Sequence, residues 1–233
     1  MADYRMAAAT GKVSPHQRRG SRMDHRWRLT IFIATIALTA TCCLDCNKGT
    51  DGGEEFVLKL ENEFILAVPE PSGLALDIED GYLWTVSDET NRVYRLTTTG
   101  QITDSLSYRG ADLEGVTVST RDSTIWIVEE RSREIVHLDR SGNELGRISL
   151  DTESNGNNGL EGISFDPGTG RFFIVNEKEP RLLIELDEQL SVIGQYALNF
   201  SADVSGLCYD VSNNCLWIVS DQSRLLAKCR RDG

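Results

Sequence analysis

At 233 residues the chain can build one sizeable core but hardly two, and 40% hydrophobic with 26% charged residues is the balance of a soluble protein. Its formal charge of −12 is uneven: residues 1–28 carry seven Lys or Arg against two Asp or Glu, and the remainder carries 17 bases against 34 acids. So acidic a body repels nucleic acid and anionic lipid, which excludes nucleic acid as a partner and favours cations or basic partners; the plain alternative is a solvated surface.

The basic start leads into twelve uncharged residues, Leu29 to Ala40, followed by Cys42, Cys43 and Cys46. The run is shorter than the ~20 residues of a comfortable membrane span and fits the apolar region of an export signal. Met23 offers an alternative start, because Met23-Asp-His-Arg-Trp-Arg28 places its charges directly before the run. Small residues ahead of Cys42 and Cys43 make either a candidate lipidation site; lipidation, simple cleavage and retention as a membrane anchor all stay open. Residues 1–43 are therefore expected to be a leader, 44–55 a flexible polar tether, and 56–233 the folded domain. The expected location is extracytoplasmic, in the cell envelope, with the membrane reached through the N-terminus. The body holds only Cys208, Cys215 and Cys229, enough for one disulfide. A Cys208–Cys215 bridge is conceivable, while Cys208, in a small-residue slot shared with Ala75, Thr117 and Ser164, reads by default as a buried thiol.

The body repeats itself. Gly73, Gly115, Gly162 and Gly206 are each followed eleven residues later by an aromatic, Trp84, Trp126, Phe173 and Trp217, and four residues after that by an acid, Asp88, Glu130, Glu177 and Asp221. The glycines lie 42, 47 and 44 residues apart, a propeller-blade period. Each unit predicts a first strand after its glycine and, past a turn-rich stretch, a second, nearly continuous apolar strand such as Ile125-Trp-Ile-Val128, suited to burial on both faces. A third strand follows (93–96, 135–138, 182–185, 225–228). Weaker fourth strands follow at 102–108, 145–150 and 192–198. The last unit has none, and Phe56-Val-Leu-Lys-Leu60 can complete it by closing the ring. The fold class is all-β: a β-propeller of four recognisable blades with four-stranded antiparallel sheets.

At Pro71-Ser-Gly-Leu74, Asp112-Leu-Glu-Gly-Val116, Asn158-Gly-Leu-Glu-Gly-Ile163 and Asp203-Val-Ser-Gly-Leu207 the chain resembles the SdiA-regulated, YjiK-like family of exported β-propellers. The order of these units, over about residues 56–228, carries the resemblance. A fifth Glu-Gly unit is implied by that family and has no counterpart here, so the resemblance implies a shortened member, against closure with four blades.

Propeller geometry puts the residue before each glycine and the acid ending each second strand on one face near the axis. The expected pairs are Ser72 with Asp88, Glu114 with Glu130, Glu161 with Glu177, and Ser205 with Asp221, giving six carboxylates around one channel mouth. Carboxylates so gathered repel one another unless a cation neutralises them or some stay protonated. An all-oxygen set favours a hard ion, Ca2+ ahead of Mg2+, and the resemblance implies the same ion. Glu114 and Glu161 lead the candidate metal ligands, with Glu130 and Glu177 beside them and Asn158 and Asn176 as extra oxygen donors. For Asp88 and Asp221, turn capping is the favoured reading. The tryptophans read as core, and His137, in the outward position shared with Arg95, Glu185 and Lys228, as surface.

Two functions follow: a membrane-tethered calcium-binding propeller with a binding, scaffolding or calcium-linked signalling role, or a metal-dependent hydrolase of phosphoesters or lactones. In the second, Arg131, Lys178 and Arg224 would hold a phosphate. The protein or small-molecule ligand at the channel face is left unnamed.

Overall fold

The computed structural model describes residues 6–7, 62–150 and 159–230, and among them every regular element is a strand. After β1 (Met6–Ala7) come β2 (Pro71–Leu76), β3 (Leu83–Ser87), β4 (Arg92–Leu96) and β5 (Ile102–Ser105), which form blade 1. Blade 2 holds β6 (Leu113–Ser119), β7 (Thr124–Glu129), β8 (Glu134–Leu138) and β9 (Glu144–Ser149); blade 3 holds β10 (Leu160–Asp166), β11 (Arg171–Asn176), β12 (Leu182–Leu186) and β13 (Val192–Ala197). Blade 4 holds β14 (Gly206–Asp210), β15 (Cys215–Ser220) and β16 (Leu225–Arg230), with β1 on its outer edge, Met6 against Cys229 and Ala7 against Lys228. All pairings among the described residues are antiparallel, and these residues form a β-propeller of four blades. The expected closing strand at 56–60, the tether and Cys42 and Cys43 lie outside the described residues.

The sequence pattern accounts for the strands. β-Branched and aromatic residues fill β3, β7 and β11, which are buried nearly throughout. Turn chemistry separates them: Asp166 accepts from the Gly168 amide at 2.9 Å and from the Thr169 hydroxyl at 2.6 Å, and Gly170 takes a φ of 76°.

The core lies between blades. Trp84 and Val86 of blade 1 pack against Val116 and Val118 of blade 2; Trp126 and Val128 against Ile163 and Phe165; Phe173 and Val175 against Leu207 and Tyr209. Polar ties reinforce these seams at the far end of the strands. Arg140 of blade 2 donates to Asp77 of blade 1, and Arg121 donates to the Pro167 carbonyl of blade 3 at 2.9 Å.

Near the axis the inner strands touch backbone to backbone. A Cβ on Gly73 would meet the Glu114 carbonyl oxygen at 2.7 Å, one on Gly115 the Glu161 carbonyl oxygen at 2.8 Å, and one on Gly162 the Gly206 Cα at 3.0 Å. Among the described residues nothing lies within 4 Å of a Cβ placed on Gly206. No described inner strand meets the last blade on its far side, and two expectations change with it. Cys208 is exposed, because its slot faces that side; Trp217 is only half-buried, unlike the core residues Trp84 and Trp126. The conceivable Cys208–Cys215 bridge is not formed, since β14 and β15 pair Cys208 with Trp217 and Cys215 with Asp210.

Gly115→Ala is expected to destabilise the fold by about 1–3 kcal/mol, the usual cost of overpacking. Gly206→Ala, with no neighbour to strike, should cost less than half of that. Urea unfolding of the two variants beside wild type measures the difference.

Candidate metal centre

Each inner strand of blades 2 and 3 bulges just before its glycine. Leu113 pairs with Glu129 and Gly115 with Val128, leaving Glu114 as the extra residue; Leu160 pairs with Asn176 and Gly162 with Val175, leaving Glu161. A bulge of this kind re-aims the side chain of its unpaired residue. The second-strand acids stand where the turn to the third strand begins: the Glu130 carbonyl accepts from the Arg133 amide at 3.2 Å, and that of Asp221 from the Arg224 amide at 3.0 Å.

These placements gather carboxylates into two groups. Oxygens of Asp88, Asp112 and Glu114 lie within 4.8 Å of one another, and so do those of Glu130, Glu161 and Glu177. Both groups bridge a seam, joining the bulged glutamate of one blade to the second-strand acid of the blade before it. Glu161 and Glu177, expected as a pair within a blade, share one group, while Glu114 is grouped with Asp88 of blade 1, takes a hydrogen bond from Ser72, and still feels the charge of its expected partner Glu130. Asp221 joins neither group.

Burial and mutual repulsion leave their mark on these acids. Burial first, then the neighbouring carboxylates Asp88 and Glu130, raise Glu114 to about 7, while the Ser72 hydrogen bond opposes them. Burial first, then Glu114, Glu177 and Glu130, raise Glu161 to about 9. Glu130 is raised by burial, with the Gly159 amide, which donates to it at 3.1 Å, pulling the other way. Two cations temper the charge: Arg131 pairs with Asp112 at 2.8 Å, and Lys178 pairs with Glu177. Asp88 Oδ1 is buried with no hydrogen-bond partner among the described residues, a cost a native fold normally avoids. The turn that Asp88 was expected to cap is capped instead by Ser87, whose hydroxyl accepts from the Thr90 amide at 3.1 Å. Every ligand atom in the two groups is a carboxylate oxygen, a set fitted to a hard divalent cation.

A family model for SdiA-regulated proteins matches residues 53–233. The chain belongs to the SdiA-regulated family. Among solved structures, this SdiA-regulated protein is similar to virginiamycin B lyase from Staphylococcus aureus, with 21% identity, a TM-score of 0.52, and 72% of this chain matched to 55% of that one. It is also similar to a glutaminyl cyclase from Myxococcus xanthus, with 13% identity, a TM-score of 0.54, and 70% of this chain matched to 72% of that one. The chain thus spans little more than half the length of the lyase. At such identities the likeness is one of fold.

The other residues singled out from the sequence of this SdiA-regulated protein fall as follows. Asn158 lies outside the described residues. Asn176 is fully buried and turned to structural work: its amide nitrogen donates to the carbonyls of Lys178 and Pro180 at 3.0 and 2.8 Å, and its oxygen accepts from Arg133 at 2.9 Å. It is not a spare oxygen donor. His137 is not a plain surface residue, since its ring stacks on Trp126 with centroids 3.8 Å apart. In the same column Lys228 lies over Trp217, and Glu185 is buried against Arg171. Asp112 was not among the expected ligands. A signal for it exists: Glu70, Asp112 and Asp203 all stand three residues before a repeat glycine. The Asp112 backbone is held at a φ of 60° by its amide donating to Asn91 at 2.6 Å and its carbonyl accepting from Glu130 at 2.9 Å.

A raised carboxyl keeps its proton in the folded state at pH values where the unfolded chain, near 4.5, has lost it, so folding stability falls as pH rises between about 4.5 and about 9. In chelator, melting temperature should drop by several degrees from pH 5.5 to 8.5, and Glu161→Gln should flatten that drop and melt higher than wild type at pH 8.5. Thermal unfolding across the range checks both.

Proposed function

We propose that this protein is an exported, membrane-tethered propeller that binds a divalent cation, Ca2+ first, at the two carboxylate groups and uses that face for binding or calcium-linked signalling. The observation that carries the reading is the packing of six carboxylates into two triads of 4.8 Å span, two of them raised to about 7 and about 9. Such repulsion is what a bound cation relieves. Ca2+ is favoured over Mg2+ because irregular triads suit its adaptable coordination. Glu161, Glu130 and Glu177 would hold one ion and Glu114, Asp88 and Asp112 a second. The tether rests on the charged start, the apolar run and Cys42 and Cys43.

Arg131, with 71% of its side chain exposed beside the first group, is the observation that favours a metal-dependent hydrolase of phosphoesters or lactones. Yet Arg131 and Lys178 are both engaged with acids of the two groups, and His137, stacked on Trp126, supplies no base there. Binding is therefore the leading reading, and turnover of a phosphoester or lactone that stops on chelation would reverse the order.

Calorimetric titration at pH 7.5 tests the cation site. Ca2+ should bind saturably, raise the melting temperature and release protons, seen as a heat that changes with the ionisation enthalpy of the buffer. Glu161→Gln and Glu114→Gln should each weaken binding at least tenfold; wild-type protein indifferent to Ca2+ would overturn the assignment. Mass spectrometry of the protein recovered from membranes checks the tether, with acylation of Cys42 or Cys43 as the expected result and an unmodified, freely released chain as the contrary one.

A further inference from the structure

Both carboxylate groups span a seam, so their geometry is only as fixed as the seam itself. In each, a residue from the same place in the repeat crosses to the next blade. That place is the third residue after the second-strand acid: Asn91 after Asp88, and Arg133 after Glu130. Asn91 Oδ1 accepts from the Asp112 amide at 2.6 Å, and the Asn91 carbonyl accepts from the Gly110 amide at 3.2 Å. The turn begun by Asp88 is thereby tied to Asp112, its fellow member of the first group. Arg133 donates to Asn176 Oδ1 at 2.9 Å, which ties the turn begun by Glu130 to the residue before Glu177, its fellow member of the second. Asn176 is fully buried and its nitrogen is bound to the Lys178 and Pro180 carbonyls, so its oxygen is held in place for Arg133. Both crossing residues have a positive φ, 53° and 55°. Asparagine enters that region readily and arginine at a cost, one retained where the conformation serves a contact. The third seam differs. There the same place is Pro180, which has no N–H and no polar side chain to send across. Asp203, in the position of Asp112, accepts instead from Ser220 and from the Gln222 amide at 3.2 Å, within blade 4. Among the described residues no carboxylate group forms at that seam.

We propose that Asn91 and Arg133 are the positioning residues of the two cation sites, one clamp to each, and that they set the spacing of carboxylates contributed by adjacent blades and with it the ionic radius each site accepts. The assignment rests on the cation reading above, and neither residue touches the ion. Oxygen stands about 2.3–2.6 Å from Ca2+ and about 2.0–2.1 Å from Mg2+. A seam held at one width therefore favours one of them, whereas a seam free to widen or close adapts to either. The carboxylates cannot hold that spacing themselves, because their charges push the two blades apart. A neutral amide and a guanidinium, bound across the seam just outside the groups, resist the push. Contacts of this outer kind orient ligands and tune the metal they hold. The two clamps act separately, Asn91 across the seam of blades 1 and 2 and Arg133 across that of blades 2 and 3.

The test uses the full-length chain in mild detergent and places each clamp variant on a background with one site removed. Glu161→Gln leaves the group around Glu114, and Glu114→Gln leaves the group around Glu161. Glycine is the substitution at both clamps, since it takes a positive φ freely and removes only the side chain. Calorimetry with Ca2+ and Mg2+ and titration with the lanthanides, hard ions whose radius falls along the series, measure affinity and size preference together. On the matched backgrounds, Asn91→Gly with Glu161→Gln and Arg133→Gly with Glu114→Gln, Ca2+ affinity should fall roughly tenfold. Mg2+ affinity should fall less, and the dependence on lanthanide radius should flatten. On the exchanged backgrounds, Asn91→Gly with Glu114→Gln and Arg133→Gly with Glu161→Gln, affinity and size preference should both be retained. A loss that appears equally on both backgrounds is general loosening of the fold and would overturn the assignment, as would matched variants that keep their size preference. The Asn91 combinations decide the matter alone if Arg133→Gly does not fold. A wild type that binds none of these ions would overturn the cation reading and the clamps with it.

Discussion

The propeller depends on one close approach, repeated along the axis: the missing side chain of a glycine lets the backbone of the next inner strand come within about 3 Å of where a Cβ would stand. Gly73, Gly115 and Gly162 pass this contact from blade to blade. Any side chain there would push neighbouring sheets apart and open the seams that hold Trp84, Trp126 and Phe173. The fixed spacing from glycine to aromatic has its cause here, because the glycine sets the separation of two sheets and the aromatic fills the space farther from the axis.

The same contact creates the carboxylate groups. With inner strands this near, the bulged glutamate of one blade lies beside the acid that ends the second strand of the blade before it. The repulsion between them is sustained by packing that has no cheap way to relax: Glu161 sits on β10, whose other residues are mostly buried, and Asp112 is clamped between Asn91 and Glu130. Protonation and cation binding are the two ways to lower the cost. They compete for the same oxygens, so a cation held at this face would have to displace the protons of Glu114 and Glu161.

Much of the fold was legible because blade architecture writes itself in local signals: the Asp-Pro-Gly-Thr-Gly turn at 166–170, the apolar run Phe172-Phe-Ile-Val175, the glycine every forty-odd residues. Glu114, Glu130, Glu161 and Glu177 were legible as candidates for the same reason. Their grouping was not, because a repeat read along the chain pairs residues within a unit, whereas the groups form across seams. Asp112 escaped notice since its mark, an acid three residues before the repeat glycine, is interrupted in the third unit, where Gly159 takes that place. Asn176 misled in the opposite way. A polar residue at the end of a buried strand looks like a ligand until its hydrogen bonds are traced to Lys178, Pro180 and Arg133. The exposure of Cys208 and Val219 was equally hidden, since their sequence slots are those of buried residues and no inner strand among the described residues follows to cover them.

Stability in such an array is close to a sum of blades and seams, and its parts are not equal. Blades 2 and 3 are flanked on both sides, and their inner strands β6 and β10 are buried almost throughout, while β2 and β14 are half open. Both carboxylate groups lie at the two seams that blade 2 makes, with blades 1 and 3. Asp221 joins neither group, and no bulged glutamate follows it among the described residues. The site is therefore carried by the best-supported part of the propeller. A change at Leu76 or Val219 should leave the Glu130, Glu161 and Glu177 triad intact, since β7, β10 and β11 keep all their neighbours.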